Sequence, residues 1–160
     1  MSTDLANISG SFKFNADVFK KMVDRIAPDR WLARPADGSN NLLWVAGHVA
    51  WARGRILAVL GLEWSRPWAN LFARGAAIVG QDQYPDREEV LKAWDDVSAK
   101  LTAALESASP DTLSKPAPQR IPSFDGKLSG TLAFFSIHES YHIGQMGYLR
   151  KWLGNGQAVG

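Results

Sequence analysis

Apolar positions recur at three- and four-residue spacings in four separate windows of the chain. In the first, residues 9–27, Phe12, Ala16, Phe19, Met22, Val23 and Ile26 fall on one helical face, and Pro28 with the polar, Gly-containing stretch 35–39 closes it. The second runs from Asn40 to Leu60, with Ser39 or Asn40 as its N-cap and Gly61 where a C-terminal glycine belongs. The third begins at Pro85–Asp86 and reaches Ala108. Its first turn carries Asp86, Glu88 and Glu89, as the helix dipole favours, and Val90, Leu91, Trp94, Val97, Leu101, Ala104 and Leu105 mark its buried side. The fourth spans Leu128 to Leu153, with Gly154 as the stop. No stretch alternates long enough to predict a strand, so the expected class is all-α with four long helices.

The connections refine this picture. About 24 residues join helices two and three, more than an antiparallel hairpin needs, so the link can return along the bundle and leave those helices parallel. Within it, PWANLFARGA (67–76) is expected to form a short helix. The stretch 109–127 holds four prolines and predicts an irregular crossing or a lid. There is no internal repeat.

Composition changes the picture mainly by exclusion. The 160 residues, 46% apolar and 21% charged, are expected to form one soluble domain with its own core. Eighteen Lys and Arg against 16 Asp and Glu leave the pI of 9.0 as a small surplus and not a patch, so no nucleic-acid partner is expected. With no cysteine, thiolate ligands, disulfides and a protein thiol nucleophile are absent. The N-terminus, MSTDLANISG, has no basic start followed by an apolar stretch, and no apolar run reaches the roughly 20 residues of a membrane span. The expected location is cytoplasmic, with no membrane partner.

Two of the three histidines lie in HESYHIGQMGYLR (138–150). His138, Glu139 and His142 match H-E-x-x-H, the zinc-peptidase signature. On a helix His138 and His142 lie about 40° apart, one turn along the axis, on a stripe with Thr131, Phe135, Gln145 and Leu149. The remaining histidine, His48, shares a face of helix two with Trp44, Trp51 and Arg55. Three neutral imidazoles with an open position suit zinc, nickel or a related divalent ion. Without a metal, two buried imidazoles would each need a hydrogen-bond partner and would repel when protonated. A peptidase reading fails downstream of His142: IGQMGYLRKWLGNGQAVG contains no His, Asp or Glu to serve as third ligand, and no strand is available to align a peptide. A third protein ligand must come from upstream, where His48 is the candidate.

Taken together, NNLLWVAGHVAWARGRILAVLG (40–61) and LAFFSIHESYHIGQMGYLRKWLG (132–154), with PWANLFARGA and YPDREEVLKAW (84–94) between them, resemble the DinB/YfiT-like superfamily over nearly the whole chain. The resemblance implies a four-helix bundle of up-down-down-up topology, often homodimeric. It also implies one metal held by a His of helix two and an H-x3-H pair of helix four, here His48, His138 and His142. Gly144 and Gln145 fit the pattern after the second paired histidine. The residue after the first is not restricted to Glu in that family, which makes the peptidase match incidental. Characterised relatives include transferases and isomerases that use low-molecular-weight thiols such as bacillithiol or mycothiol.

The expected function is therefore a divalent-metal-dependent small-molecule enzyme, a thiol-dependent S-transferase whose thiol is the cosubstrate's. The alternatives are a non-catalytic metal- or ligand-binding stress protein and a metal-dependent hydrolase. Glu139, about 100° from His138 around the helix, is a candidate base or else an exposed or capping carboxylate. Gln145 and Arg55 are candidates to support the ligands or bind an anion, and Trp44, Trp51 and Tyr141 to line a pocket. Gly144 and Gly147, away from the histidine stripe, offer close approach to another helix, including one from a second subunit.

Overall fold

The computed structural model describes residues 3–77 and 79–159. Among them it is all-helical: α1 (Thr3–Val23), α2 (Leu42–Val59), α3 (Arg87–Ser107), the one-turn α4 (Pro110–Leu113) and α5 (Leu128–Trp152). Helix α1 starts and ends earlier than the 9–27 window. Its apolar spacing continues backwards beyond that window through Ile8 and the buried Leu5. Its end is set by Arg25, whose φ of +58° is left-handed, and not by Pro28. Two arginines from other helices serve the freed carbonyls. Arg150 donates to the carbonyls of Met22 and Asp24, and Arg87 to that of Ile26. Cationic donors at a helix C-terminus offset the negative end of its dipole.

Helix α2 is capped one residue later than expected: the Asn41 side chain accepts from the Trp44 N–H at 2.8 Å, while Gly61 takes φ +80° as the C-terminal glycine. Asp86 caps α3 by accepting from the Glu89 N–H at 2.8 Å. Gly154, at φ +82°, ends α5 as its position predicted.

The long helices pack in a ring in which α1 lies against α3 and α5, and α2 against α3 and α5. Ordered cross-helix contacts fix the pairing. Lys13 meets Glu106 and Lys20 meets Asp95 between α1 and α3. Asn15 meets Ser140, and Met22 meets Gly147, between α1 and α5. The centre is aromatic, with Phe19 stacked on Trp94 at 4.0 Å between ring centroids. Gly147 is accounted for here: the helix that approaches it is α1 of the same chain, with Met22 Sδ 3.3 Å from where a Cβ would stand. Gly144 has nothing within 4 Å of that position and stays open.

The long connection after α2 forms a short 3-10 turn, Ala69–Phe72, inside the 67–76 stretch. It lies directly on α2 because two helix-interior residues there lack a Cβ. An added Cβ at Gly47 would stand 2.5 Å from the Phe72 ring, and one at Gly54 would overlap the Trp64 ring. The stretch 109–127 is an ordered crossing, with α4 capped by Ser109 and a bridge between Pro116 and Lys127. Asp125 then opens α5, accepting from the N–H groups of Lys127 (2.8 Å) and Gly130 (3.1 Å) and from the Ser129 hydroxyl (2.8 Å). Among the described residues no helix is long and apolar enough to cross a membrane.

Candidate metal centre

Helices α2 and α5 bring all three histidines together. One ligand atom from each of His48, His138 and His142 lies within 4.8 Å of the others. The Nε2 atoms of His138 and His142 are 3.1 Å apart. Two nitrogens bound at 2.0–2.1 Å to one tetrahedral ion stand about 3.4 Å apart, so this pair is near the separation that one ion requires. His48 and His142 are buried and His138 is half-buried.

The far nitrogens identify which atoms face inward. His48 Nδ1 lies 2.7 Å from the Phe72 carbonyl oxygen, an acceptor only, so Nδ1 carries the proton and Nε2 keeps its lone pair. His142 Nδ1 lies 2.8 Å from Gln145 Oε1, which fixes the same tautomer. Gln145 in turn donates through Nε2 to the Tyr141 hydroxyl at 3.1 Å. Holding the outer nitrogen of a ligating imidazole in this way orients the ring and fixes its tautomer. His138 Nδ1 is buried without a partner.

All three imidazoles are held neutral. Burial lowers His48 to about 4, against a partial upward pull from the Phe72 carbonyl and with help from the other two rings. Burial first, then His142 and the Arg74 guanidinium, lower His138 to about 4. Burial also pushes His142 down, partly offset by Gln145. Neutral imidazole is the form that ligates. The residues therefore fit a divalent ion on this chain's own geometry: convergent imidazole nitrogens, acceptors that orient two of the three rings, and suppressed protonation.

Three aromatic rings lie against the histidines. Trp44 stacks on His48 at 4.9 Å between centroids and 9° between planes, Trp51 covers it at 5.4 Å, and Tyr141 meets His142 edge-on at 5.1 Å. Beside Gln145 opens a cavity of about 540 Å³ lined by Pro35, Ser39, Asn40, Val45 and Tyr148. Arg55 is exposed and lines a shallow cavity with Trp51, Gly54 and Trp64, to which no histidine contributes. A position within about 60° on a helical wheel does not place a long side chain when it can turn outward to water.

Glu139 requires a correction. It is neither an exposed nor a capping carboxylate, nor a free base beside the histidines. It is 2% exposed, and both oxygens are taken by Arg53, Nε to Oε2 at 2.7 Å and Nη2 to Oε1 at 2.8 Å. Arg53 also donates to the Phe12 carbonyl at 2.8 Å and lies over the Trp94 ring at 4.1 Å. This bidentate pair closes the bundle interior next to the histidine cluster. Sequence reasoning missed Arg53 because it fell among apolar residues of α2, where an arginine gives no sign of a partner 86 residues away. It also missed Phe72, which acts through a backbone carbonyl.

An all-helical ring with a tri-imidazole cluster between two of its helices defines a class of metal-site bundles. The profile of the DinB superfamily matches residues 11–146, and the chain belongs to that superfamily. No curated protein matches the chain.

Proposed function

We propose that the protein is a divalent-metal-dependent small-molecule enzyme, and specifically an S-transferase that uses a low-molecular-weight thiol. The observation that carries this reading is the convergence of His48, His138 and His142, two of them with their outer nitrogens held by oxygen acceptors. Zinc or nickel is the proposed ion. Bound there, it would supply Lewis acidity that makes an adjacent thiol or water acidic. The protein's own part is to hold three rings neutral, keep their Nε2 lone pairs together and shield them under Trp44 and Trp51. Tyr141, whose oxygen accepts from Gln145, keeps its own proton to donate to a ligand. The absence of cysteine requires the thiol to be a cosubstrate's, and the cavity beside Gln145 is of small-molecule size.

The same reading takes the ring as an up-down-down-up bundle. The order of the contacts supports it: α1 residues 13 and 20 meet α3 residues 106 and 95 in reverse, while α1 residues 15 and 22 meet α5 residues 140 and 147 in the same order. A homodimer is also proposed. Ile137, Tyr141 and Tyr148 are 61–64% exposed along one stripe of α5 with Gly144 between them, and Phe14 of α1 is 63% exposed.

Elemental analysis of protein purified without a nickel column, paired with His48→Ala, tests the site: about one divalent ion per wild-type chain and loss in the variant are expected. Undiminished occupancy in the variant would reject the three-ligand centre. Turnover of electrophiles only with added thiol would support transfer. Turnover without thiol would replace it with hydrolysis, and no turnover with metal bound would leave a binding protein.

A further inference from the structure

The cavity that Arg55 lines lies between α2 and the connection that follows it. It has a volume of about 240 Å³, with Trp51, Gly54 and Arg55 on the helix side and Trp64, Arg66 and Asn70 on the other. That is below the roughly 300–1,000 Å³ of a drug-sized site, and leaves room for one small ring with one functional group. Both of its aromatic walls are fixed in place. Trp64 donates from Nε1 to Asp96 Oδ2 at 2.8 Å, packs into the space left by the missing Cβ of Gly54, and has the Arg66 guanidinium over its ring at 5.2 Å. Trp51 stacks on His48 at 5.4 Å between centroids. Walls already held by the fold need no ordering when a ligand enters.

The lining carries two guanidiniums and no carboxylate. Arg66 is engaged: it donates to Asp96 Oδ2 at 2.8 Å and to the Ser65 carbonyl at 3.0 Å. Asp96 also pairs with Lys100 at 3.3 Å, so this carboxylate is not free to neutralise a further cation. Arg55 makes no hydrogen bond or ion pair among the described residues, and α2, on which it stands, contains no acidic residue. A fixed aromatic cavity thus has one cation at its edge without a counter-charge.

We propose that this cavity is a second ligand site, separate from the metal centre, and that it takes a small aromatic carboxylate. The ring lies against Trp51 and Trp64, and the acid pairs with Arg55. Two indole walls favour a flat apolar body, which phosphate and short aliphatic acids lack. The guanidinium gives a planar carboxylate a two-point contact, which an uncharged ring would leave unused. The site stands on the cavity and its lining and does not depend on the metal reading.

Chemical-shift titration of the tryptophan indole N–H groups tests it on the full chain, as purified and again after dialysis against a chelator. The probes are benzoate, benzamide, acetate and inorganic phosphate. Benzoate is expected to move the Trp51 and Trp64 signals and to bind roughly tenfold or more tightly than each of the other three. In Arg55→Gln, at an exposed position where the melting temperature should stay near wild type, benzoate should fall to the level of benzamide while benzamide binds as before. Arg55→Lys, which keeps the charge without the two-point contact, should fall between the two. Equal benzoate affinity in wild type and Arg55→Gln would overturn the site, as would shifts confined to other tryptophans. Acetate or phosphate binding as tightly as benzoate would overturn the aromatic assignment. Benzoate binding that disappears with the metal would place the acid on the histidine centre and overturn the separate site.

Discussion

Glu139→Gln separates a structural carboxylate from a catalytic one. The substitution keeps the side-chain volume but leaves the Arg53 guanidinium without its counter-charge at 1% exposure, between the rings of Phe12 and Trp94. Removing one partner of a buried, bidentate pair typically costs about 3–5 kcal/mol, because the remaining charge stays desolvated. Against a total stability of roughly 5–15 kcal/mol that is a large fraction. For a chain of this size, with about 2–4 °C per kcal/mol, the melting temperature should fall by roughly 6–20 °C. Urea unfolding followed by circular dichroism, on metal-free protein, measures the free-energy loss, and a thermal melt of the same sample the temperature shift. The double variant Arg53→Met/Glu139→Leu should recover most of the loss, since an apolar pair of similar volume avoids the unpaired charge. Turnover per folded molecule should change little at a temperature where Glu139→Gln remains folded. A stability loss under about 1 kcal/mol together with a 100-fold or greater fall in turnover, the size of a lost general base, would refute the structural assignment.

Three further outcomes are expected from the same geometry. Gly47→Ala should push Phe72 off α2 and weaken metal affinity about 10- to 100-fold in a chelator competition, with partial recovery in Gly47→Ala/Phe72→Leu, whereas Gly54→Ala, which displaces Trp64 instead, should lower stability and leave affinity near wild type. Metal-free protein should lose stability as pH falls from about 6.5 toward 4, because the unfolded chain takes up protons on three histidines that the folded chain keeps neutral; above 6.5 these groups add no slope, and a flat urea midpoint between pH 7 and 5 would contradict the lowered values. Asp125→Ala should cost about 1 kcal/mol by removing the acceptor at the start of α5. The lowered Asp125 carboxyl, held mainly by the Lys127 N–H and the Ser129 hydroxyl, makes that contribution present above the ordinary carboxylate value and lost as pH falls through the lowered one.

Apolar spacing locates the four long helices, and the His138–His142 spacing identifies the paired ligands, because both depend on helix period alone; His48 follows as the one histidine left, on an inward face of α2. What escapes depends on contacts distant in sequence or carried by the backbone. The role of Arg53 is defined by Glu139 on another helix, and that of Phe72 by its carbonyl, which no side-chain pattern reports. Gly47 and Gly54 look like weak points of α2 until the connection after it is seen to need the missing Cβ atoms. Helix ends depart from the local pattern where their signal lies outside it, as at Arg25, whose neighbouring carbonyls are served by Arg87 and Arg150 from other helices. Arg55 has an inward wheel position, and a side chain that long is free to leave it.

Tyr141 belongs to two neighbourhoods at once. Its ring is part of the exposed stripe with Ile137 and Tyr148, and its hydroxyl accepts from the same Gln145 amide that orients His142. A molecule that covers the stripe would therefore press on a two-bond path leading to a histidine of the cluster. Association at that surface and the electronic state of the centre would then be thermodynamically linked, each shifting the equilibrium of the other by the same factor.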